Sequence, residues 1–131
     1  MPKQTLAVLP QVFTIHSFAA DTKPMNEIFE QDIYFLSKTA DELSVVAPST
    51  LPLKSLDSET DWRCLEVLGP LDFSLTGILS GIAGVLASSN ISIFAVSTFD
   101  TDYILVKQDN LTQAIAQLER SDYLVHQEVT L

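Results

Sequence analysis

The sequence is poor in basic residues and in cysteine, and each shortage excludes a class of protein. Seven Lys and Arg stand against 17 Asp and Glu, which gives a formal net charge of −10. An acidic surface repels phosphate backbones and anionic lipids, so we expect neither a nucleic-acid partner nor a membrane partner. Cys64 is the single cysteine, which rules out an internal disulfide and favours the reducing cytoplasm.

Long apolar runs are also missing. The longest apolar region, Phe73 to Phe99, is interrupted by Ser, Thr, Asn and three Gly, whereas a membrane span needs about 18 or more apolar residues. The first residues lack the apolar run and the small-residue cleavage site of a signal peptide. Hydrophobic residues still make up 47% of the chain, enough for a packed core, so a globular cytoplasmic protein is predicted.

Residues suited to metal or covalent chemistry are present but not clustered in the sequence. His16 and His126 are far apart, no further ligand stands at a useful spacing from either, and His16 is expected to be half-exposed on a strand. Cys64 lies in a predicted strand and is interpreted as a small core residue rather than a nucleophile. We therefore predict no metal, no cofactor and no enzymatic activity.

An internal repeat is visible at an offset of 60 residues. Three segments of a first copy align with three segments of a second copy without a gap between the blocks, which favours duplication over chance. The aligned pairs are Leu6–Pro10 with Glu66–Pro70, Ile33–Ser37 with Ile93–Ser97, and Leu43–Val46 with Tyr103–Val106.

The second copy predicts the order β-α-β-β-α-β, that of a ferredoxin-like unit with one antiparallel sheet and both helices on one face. Ser74 is predicted to cap the first helix, Asn90 to end it and Asp109 to cap the second. Alternating apolar residues predict the strands, and a spacing of three or four predicts the helices. The elements are a strand over 62–68, a helix over 74–89, strands over 91–99 and 102–107, a helix burying Leu111, Ile115 and Leu118, and a strand over 123–130.

The first copy predicts only βαββ. A strand over 5–9 with an extended continuation over 11–18 precedes a loop, a short helix within 25–31 and a hairpin within 33–47. Polar residues and two prolines follow, so this stretch is interpreted as a linker, and the second half or another chain must supply a fourth strand. The predicted fold class is α+β with two tandem ferredoxin-like units, the first incomplete. The predicted domains are 1–48 and 62–131, with the linker over 49–61.

Residues 69–79 (GPLDFSLTGIL) and 93–106 (IFAVSTFDTDYILV) resemble the signature of a bacterial ACT-domain family. They are also similar to the repeats of tandem-ACT arginine sensors and, more distantly, to the regulatory end of aspartate kinases. The resemblance covers essentially the whole chain and is specific across residues 62–107. It implies a regulatory fold that pairs its sheets side by side and holds a small ligand, usually an amino acid, where the loop before the first helix meets a neighbouring unit.

The resemblance implies ligand-binding residues in two segments, carried over by their match to the motif. The first segment is the loop before the helix together with the helix start, and the second is the turn between the two strands that follow. The residues are Asp72, Phe73, Ser74, Leu75, Thr76, Gly77 and Ile78, and Thr98, Phe99, Asp100, Thr101 and Asp102. Gly81 and Gly84, further along the helix, are attributed to close helix packing.

These residue types suit an amino acid, which presents a carboxylate and an ammonium close together. Free N–H groups at a helix start and the hydroxyls of Ser74 and Thr76 can bind the carboxylate. The side chains of Asp72, Asp100 and Asp102 can bind the ammonium. Each residue also has a structural interpretation, because Asp72 and Ser74 can serve only as helix caps, and Asp100 and Asp102 only as hairpin residues.

The leading hypothesis is a regulatory protein that senses an amino acid, forms a homodimer and acts on an enzyme partner. The alternative is an ACT-like interaction or dimerisation module that docks a partner enzyme without any ligand. A small hydrolase or isomerase is a third hypothesis, which would need a deep pocket holding a His or the Cys. Arginine, lysine, other amino acids and apolar effectors all remain open as the ligand.

Overall fold

A computed structural model describes residues 3–69 and 76–127 of the chain. Within these ranges, the order of helices and strands follows the sequence prediction. Contacts divide the chain into a larger unit, Met1–Pro10 with Arg63–Leu131, and a smaller unit, Gln11–Trp62. These units differ from the predicted domains because β1 and β4 each contribute residues to both. The elements are β1 (Thr5–Phe18), α1 (Asn26–Phe29), β2 (Phe35–Lys38), β3 (Leu43–Pro48), β4 (Asp57–Val67), α2 (Ile78–Ser88), β5 (Ile93–Ser97), β6 (Asp102–Lys107), α3 (Leu111–Arg120) and β7 (Leu124–Gln127).

The smaller unit contains a sheet in the order β2-β3-β1-β4 and the single-turn helix α1. Strand β3 pairs antiparallel with both β1 and β2. The fourth strand consists of the first residues of β4, which begins at Asp57 and not at the predicted Trp62. The side chains of residues 57–61 are exposed along the strand. Their polar composition is therefore that of a linker, as the sequence analysis interpreted them. The core of this unit is formed by Ile28, Leu43, Val45 and Ala47.

The larger unit has the strand order β7-β1-β4-β6-β5, with α2 and α3 packed on the same core. Strands β5 and β6 form the predicted antiparallel hairpin. Strand β7 instead pairs parallel with the beginning of β1, where Thr5 lies opposite Leu124. The sheet, which was expected to be antiparallel, therefore contains a parallel pair, with β1 lying between β7 and β4. The core comprises Leu6, Val8, Leu65, Val67, Ile82, Leu86, Ile91, Ile104, Val106, Ala114, Ile115, Leu118 and Tyr123.

Both long helices begin later than predicted. Helix α2 starts at Ile78, after Gly77 with a φ of 78°, so the predicted start and cap at Ser74 are wrong. A left-handed residue at the entry sets the helix start, and glycine adopts that conformation without steric cost. Asp109 lies inside a 3-10 turn before α3. The residue that directly precedes α3 is Asn110, and its side chain makes no capping hydrogen bond. The predicted cap at Asp109 is therefore also wrong.

The ends of both helices follow a pattern visible in the sequence. Asn90, with a φ of 59°, follows α2, and Asp122, with a φ of 74°, follows α3. The N–H of Ile91 then donates to the carbonyl of Leu86 at 3.0 Å, and an equivalent bond closes α3. These are Schellman motifs, in which a residue of positive φ lets the chain satisfy the last helical carbonyls. The predicted helix end at Asn90 is confirmed.

His16 is buried, with 6% of its surface exposed, so its predicted half-exposed position is wrong. Its Nδ1 lies 2.9 Å from the Oγ of Ser55, and its ring lies 6.0 Å from that of Phe18. Burial disfavours the imidazolium and lowers the pKa of His16. The segment after β3 covers this face of β1, and the alternating pattern of β1 does not reveal that cover.

Gly81 and Gly84 face different surroundings on α2, which makes them a matched pair. A Cβ at Gly81 would lie 2.8 Å from the hydroxyl oxygen of Tyr123, whereas a Cβ at Gly84 would meet no described atom within 4 Å. We expect Gly84→Ala to raise the free energy of unfolding by about 1 kcal/mol through helix propensity. Gly81→Ala should give no such increase, because its Cβ would clash with the Tyr123 hydroxyl. The increase should return when Tyr123→Phe removes that hydroxyl. Urea unfolding followed by circular dichroism measures this, and equal stabilisation by the two single variants would contradict the close packing.

Cys64 is fully buried in β4, and its thiol should be inert in the folded chain. Burial, reinforced by the negative charge of Glu66, raises the pKa of Cys64 to about 12. Since the thiolate is the reactive form, iodoacetamide at mildly alkaline pH should leave the native chain unmodified while it alkylates the urea-unfolded chain completely. Mass spectrometry of both reactions gives the comparison, and similar rates in the two states would be inconsistent with a core thiol.

Candidate functional site

A cleft of about 240 Å³ opens in the larger unit, where the end of β4 meets the turn between β5 and β6. Glu66 and Gly69 line it from the β4 side, and Asp100, Thr101 and Tyr103 line it from the turn and β6. Gly69 is the first residue of the GPLDFSLTGIL motif, and Asp100 and Thr101 belong to the second predicted segment. The cleft therefore joins parts of the two motifs that carry the family resemblance.

Thr101 holds the turn against β4. Its hydroxyl donates to the carbonyl oxygen of Val67, and the residue is only 6% exposed. Within the turn, the Thr98 N–H donates to the Thr101 carbonyl at 2.8 Å. A buried hydroxyl that already donates to a buried carbonyl is a structural tether. Thr98 and Thr101, both predicted to bind ligand, thus shape the cleft through bonds to the backbone.

The acidic residues in and beside the turn between β5 and β6 differ in the contacts that they make. Asp102 accepts a hydrogen bond from the hydroxyl of Ser97, the residue opposite it in the β5–β6 ladder. Asp100 is exposed in the turn and lines the cleft together with Glu66. Of the predicted carboxylates in the described residues, Asp100 is therefore the one that faces the cleft, whereas Asp102 stabilises the hairpin.

Glu66 is a cleft residue that the sequence analysis missed. It lies in β4, where it was assigned only to a strand of alternating character. The signal that could have identified it is its position three residues before Gly69, an acidic side chain in an otherwise apolar stretch from Cys64 to Leu68. Residues near the end of a strand often contribute to sites because the following loop opens beside them.

Tyr103 lines the cleft together with these carboxylates. Burial raises the pKa of the Tyr103 phenol, and the negative charges of Glu66 and Asp100 raise it further. The hydroxyl therefore keeps its proton at neutral pH. With two carboxylates as acceptors, the lining is suited to a ligand that carries a positive charge.

The remaining predicted residues are placed as follows. Thr76 and Gly77 are exposed before α2, Ile78 packs against the core, and none of the three lines the cleft. Phe99 is 79% exposed at the turn. Asp72, Phe73, Ser74 and Leu75 lie outside the described residues.

Within residues 3–69 and 76–127, no group of three or more His, Cys, Asp and Glu side chains is placed to hold a metal ion. No helix in the same ranges combines the length and the apolar character needed to cross a membrane.

Comparison with known proteins shows what this chain is similar to. Over 74 residues, 56% of this chain, the sequence is 42% identical to the human protein named cytosolic arginine sensor for mTORC1 subunit 1, and it covers 22% of that protein's length. A crystal structure of an Agrobacterium tumefaciens protein aligns with a TM-score of 0.90 and 27% identity, over 99% of this chain and 97% of the other.

The regulatory subunit of aspartate kinase from Thermus flavus aligns with a TM-score of 0.62 and 8% identity, over 92% of this chain and 97% of that subunit. At that identity the likeness concerns the fold alone, and it agrees with the ferredoxin-like α+β prediction. Residues 57–120, just under half of the chain, match the family model described as ACT domain, so this segment is similar to ACT domains.

Proposed function

We propose that this chain is a non-catalytic regulatory protein of the cytoplasm that binds an amino acid in the cleft of its larger unit. The observation that carries the proposal is the lining of that cleft, in which Glu66 and Asp100 offer carboxylate acceptors beside the protonated phenol of Tyr103. An amino acid needs both, because its ammonium donates hydrogen bonds and its carboxylate accepts them.

A basic amino acid fits this lining best. The two carboxylates exceed what a single ammonium requires, so one of them is available to a second positive group such as a guanidinium. The human relative is named as an arginine sensor, which supports arginine as the first ligand to test. Lysine is the second choice, since it carries the same charge without the planar fork of donors.

Residues 70–75 are proposed as the remaining wall of the site, since they lie in the sequence between Gly69, which lines the cleft, and Thr76 before α2. Asp72, Phe73, Ser74 and Leu75 would then contact the ligand together with Thr76, Gly77 and Ile78, as the family resemblance implies. Free N–H groups in the first turn of α2 would serve its carboxylate.

Thermal unfolding in the presence of each of the twenty amino acids tests this proposal. A ligand at a hundredfold excess over its Kd stabilises the folded chain by about 2.7 kcal/mol, and arginine should give the largest increase in Tm.

Asp100→Asn should weaken arginine binding roughly tenfold, since it removes one charge-assisted hydrogen bond. Asp41→Asn, an exposed aspartate in the β2–β3 hairpin turn, is the matched control and should bind normally. If no amino acid changes the Tm, the chain is an interaction module without a ligand.

We also propose that two copies associate. Among the strands of the described residues, β5 is the last in the order of the larger unit, and a strand at the end of a sheet can pair with another chain. Twofold symmetry is the commonest way to cover such an edge. Sedimentation equilibrium should give the mass of a dimer, twice 14.4 kDa, and a monomer mass at micromolar concentration would rule out this association.

A further inference from the structure

A second cavity lies in the smaller unit, formed wholly by residues of that unit. It measures about 650 Å³ and is lined by the end of β1, the loop before α1 and the segment before β4. Its apolar lining includes Phe18, Met25, Leu53 and Leu56. A volume of this size is in the range of small-molecule sites, which are mostly apolar with a few polar groups.

A smaller pocket of about 20 Å³ continues this cavity toward the core. The two share Phe18, Thr22, Met25 and Leu53, and the smaller pocket reaches the buried side chains of Ile28, Leu43 and Val45. Together they form one apolar groove whose inner end is the core of the unit. We refer to this feature as the smaller-unit groove.

Apolar side chains remain exposed at the mouth of the groove. Leu56 is 77% exposed and Met25 is 44% exposed, although both line the cavity. Exposed apolar surface around a concavity is typical of a binding site, because covering it removes that surface from water.

The charge of the groove is opposite to that of the chain. Lys54 lines the larger cavity and Lys23 lines the smaller one, while no lining residue of either is a carboxylate. The whole chain has 17 acidic and seven basic residues, so two lysines without an acid set this region apart. Positive charge at the rim of an apolar groove favours an anionic group on an apolar ligand.

Ser55 adds a hydroxyl to this lining and is held in place by His16. The Nδ1 atom of His16 lies 2.9 Å from the Ser55 Oγ, so the buried ring orients the hydroxyl at the cavity wall. With the proton on Nδ1, His16 donates to Ser55, and the Ser55 hydroxyl hydrogen is then available to a ligand oxygen.

The structure assigns the smaller-unit groove to an apolar carboxylate without an amine, of the class of a medium-chain fatty acid. Its tail would occupy the groove over Phe18 and Leu53, and its carboxylate would lie near Lys54 and Lys23. An amino acid fits less well, because its ammonium would find no carboxylate in the lining. This proposal is independent of the cleft in the larger unit, since it concerns different residues and a different ligand charge.

Methionine methyl signals in the full chain test this assignment. The chain has two methionines, Met1 and Met25, so a sample labelled at the methionine methyl carbon gives two signals, one of which reports on the groove. Octanoate should shift the Met25 signal in a saturable manner, 1-octanol should bind about fivefold more weakly, and octylamine more weakly still. No saturable shift with octanoate, or equal binding of octanoate and 1-octanol, would overturn the proposal.

Lysine variants separate loss of charge from loss of the groove. Lys54→Gln should weaken octanoate about fivefold and change 1-octanol less than twofold. Lys38→Gln is the matched control, because Lys38 is exposed in the same unit and its ammonium donates to the Thr39 carbonyl. Equal effects of the two variants on octanoate would refute a role for Lys54. Tighter binding of an acetylated dipeptide ending in leucine than of octanoate would assign the site to a peptide terminus and overturn the fatty-acid class.

Discussion

The buried hydrogen bond from the Thr101 hydroxyl to the Val67 carbonyl determines where the candidate site of the larger unit can form. It joins the turn after β5 to Val67, the last residue of β4, which stands two residues before the cleft residue Gly69. Without this bond, a carbonyl at the strand end would lose a partner inside the unit. The cleft depends on it because Asp100 and Glu66 come from the two segments that it connects.

The two hairpins of the chain share a turn that the repeat predicts only approximately. Thr39 and Thr98 hold equivalent places, since each N–H donates to a carbonyl three residues on, at 3.0 Å to Glu42 and 2.8 Å to Thr101. Each threonine hydroxyl also accepts the N–H of that same residue. The turns are therefore 59 positions apart (98 minus 39), and the aligned offset of 60 is one residue too long here. In a hairpin, a shift of one residue exchanges the two faces of a strand. The hydrogen bonds of the turns therefore identify the equivalent residues of the two hairpins more firmly than the sequence alignment does.

The sequence was informative wherever a local rule dominates. The hairpin of β5 and β6 and the helix end at Asn90 follow from turn and cap chemistry, and both are confirmed. The start of β4 was missed because an exposed strand has the polar composition of a loop. The parallel pairing of β7 with β1 depends on residues more than a hundred positions apart, and nothing local encodes it. Glu66 was missed for a similar reason, since its place in the cleft comes from β6 and the turn rather than from its own strand.

The contrast between the two sites follows from which residues line them. In the larger unit, carboxylates from a strand end and a turn surround a phenol that stays protonated. In the smaller unit, the segments around α1 and before β4 supply apolar side chains and two lysines. Loops supply most of these residues, and loops vary without disturbing the paired strands. A hairpin frame can therefore retain its turn bonds in both copies while the linings of the two candidate sites carry opposite charge.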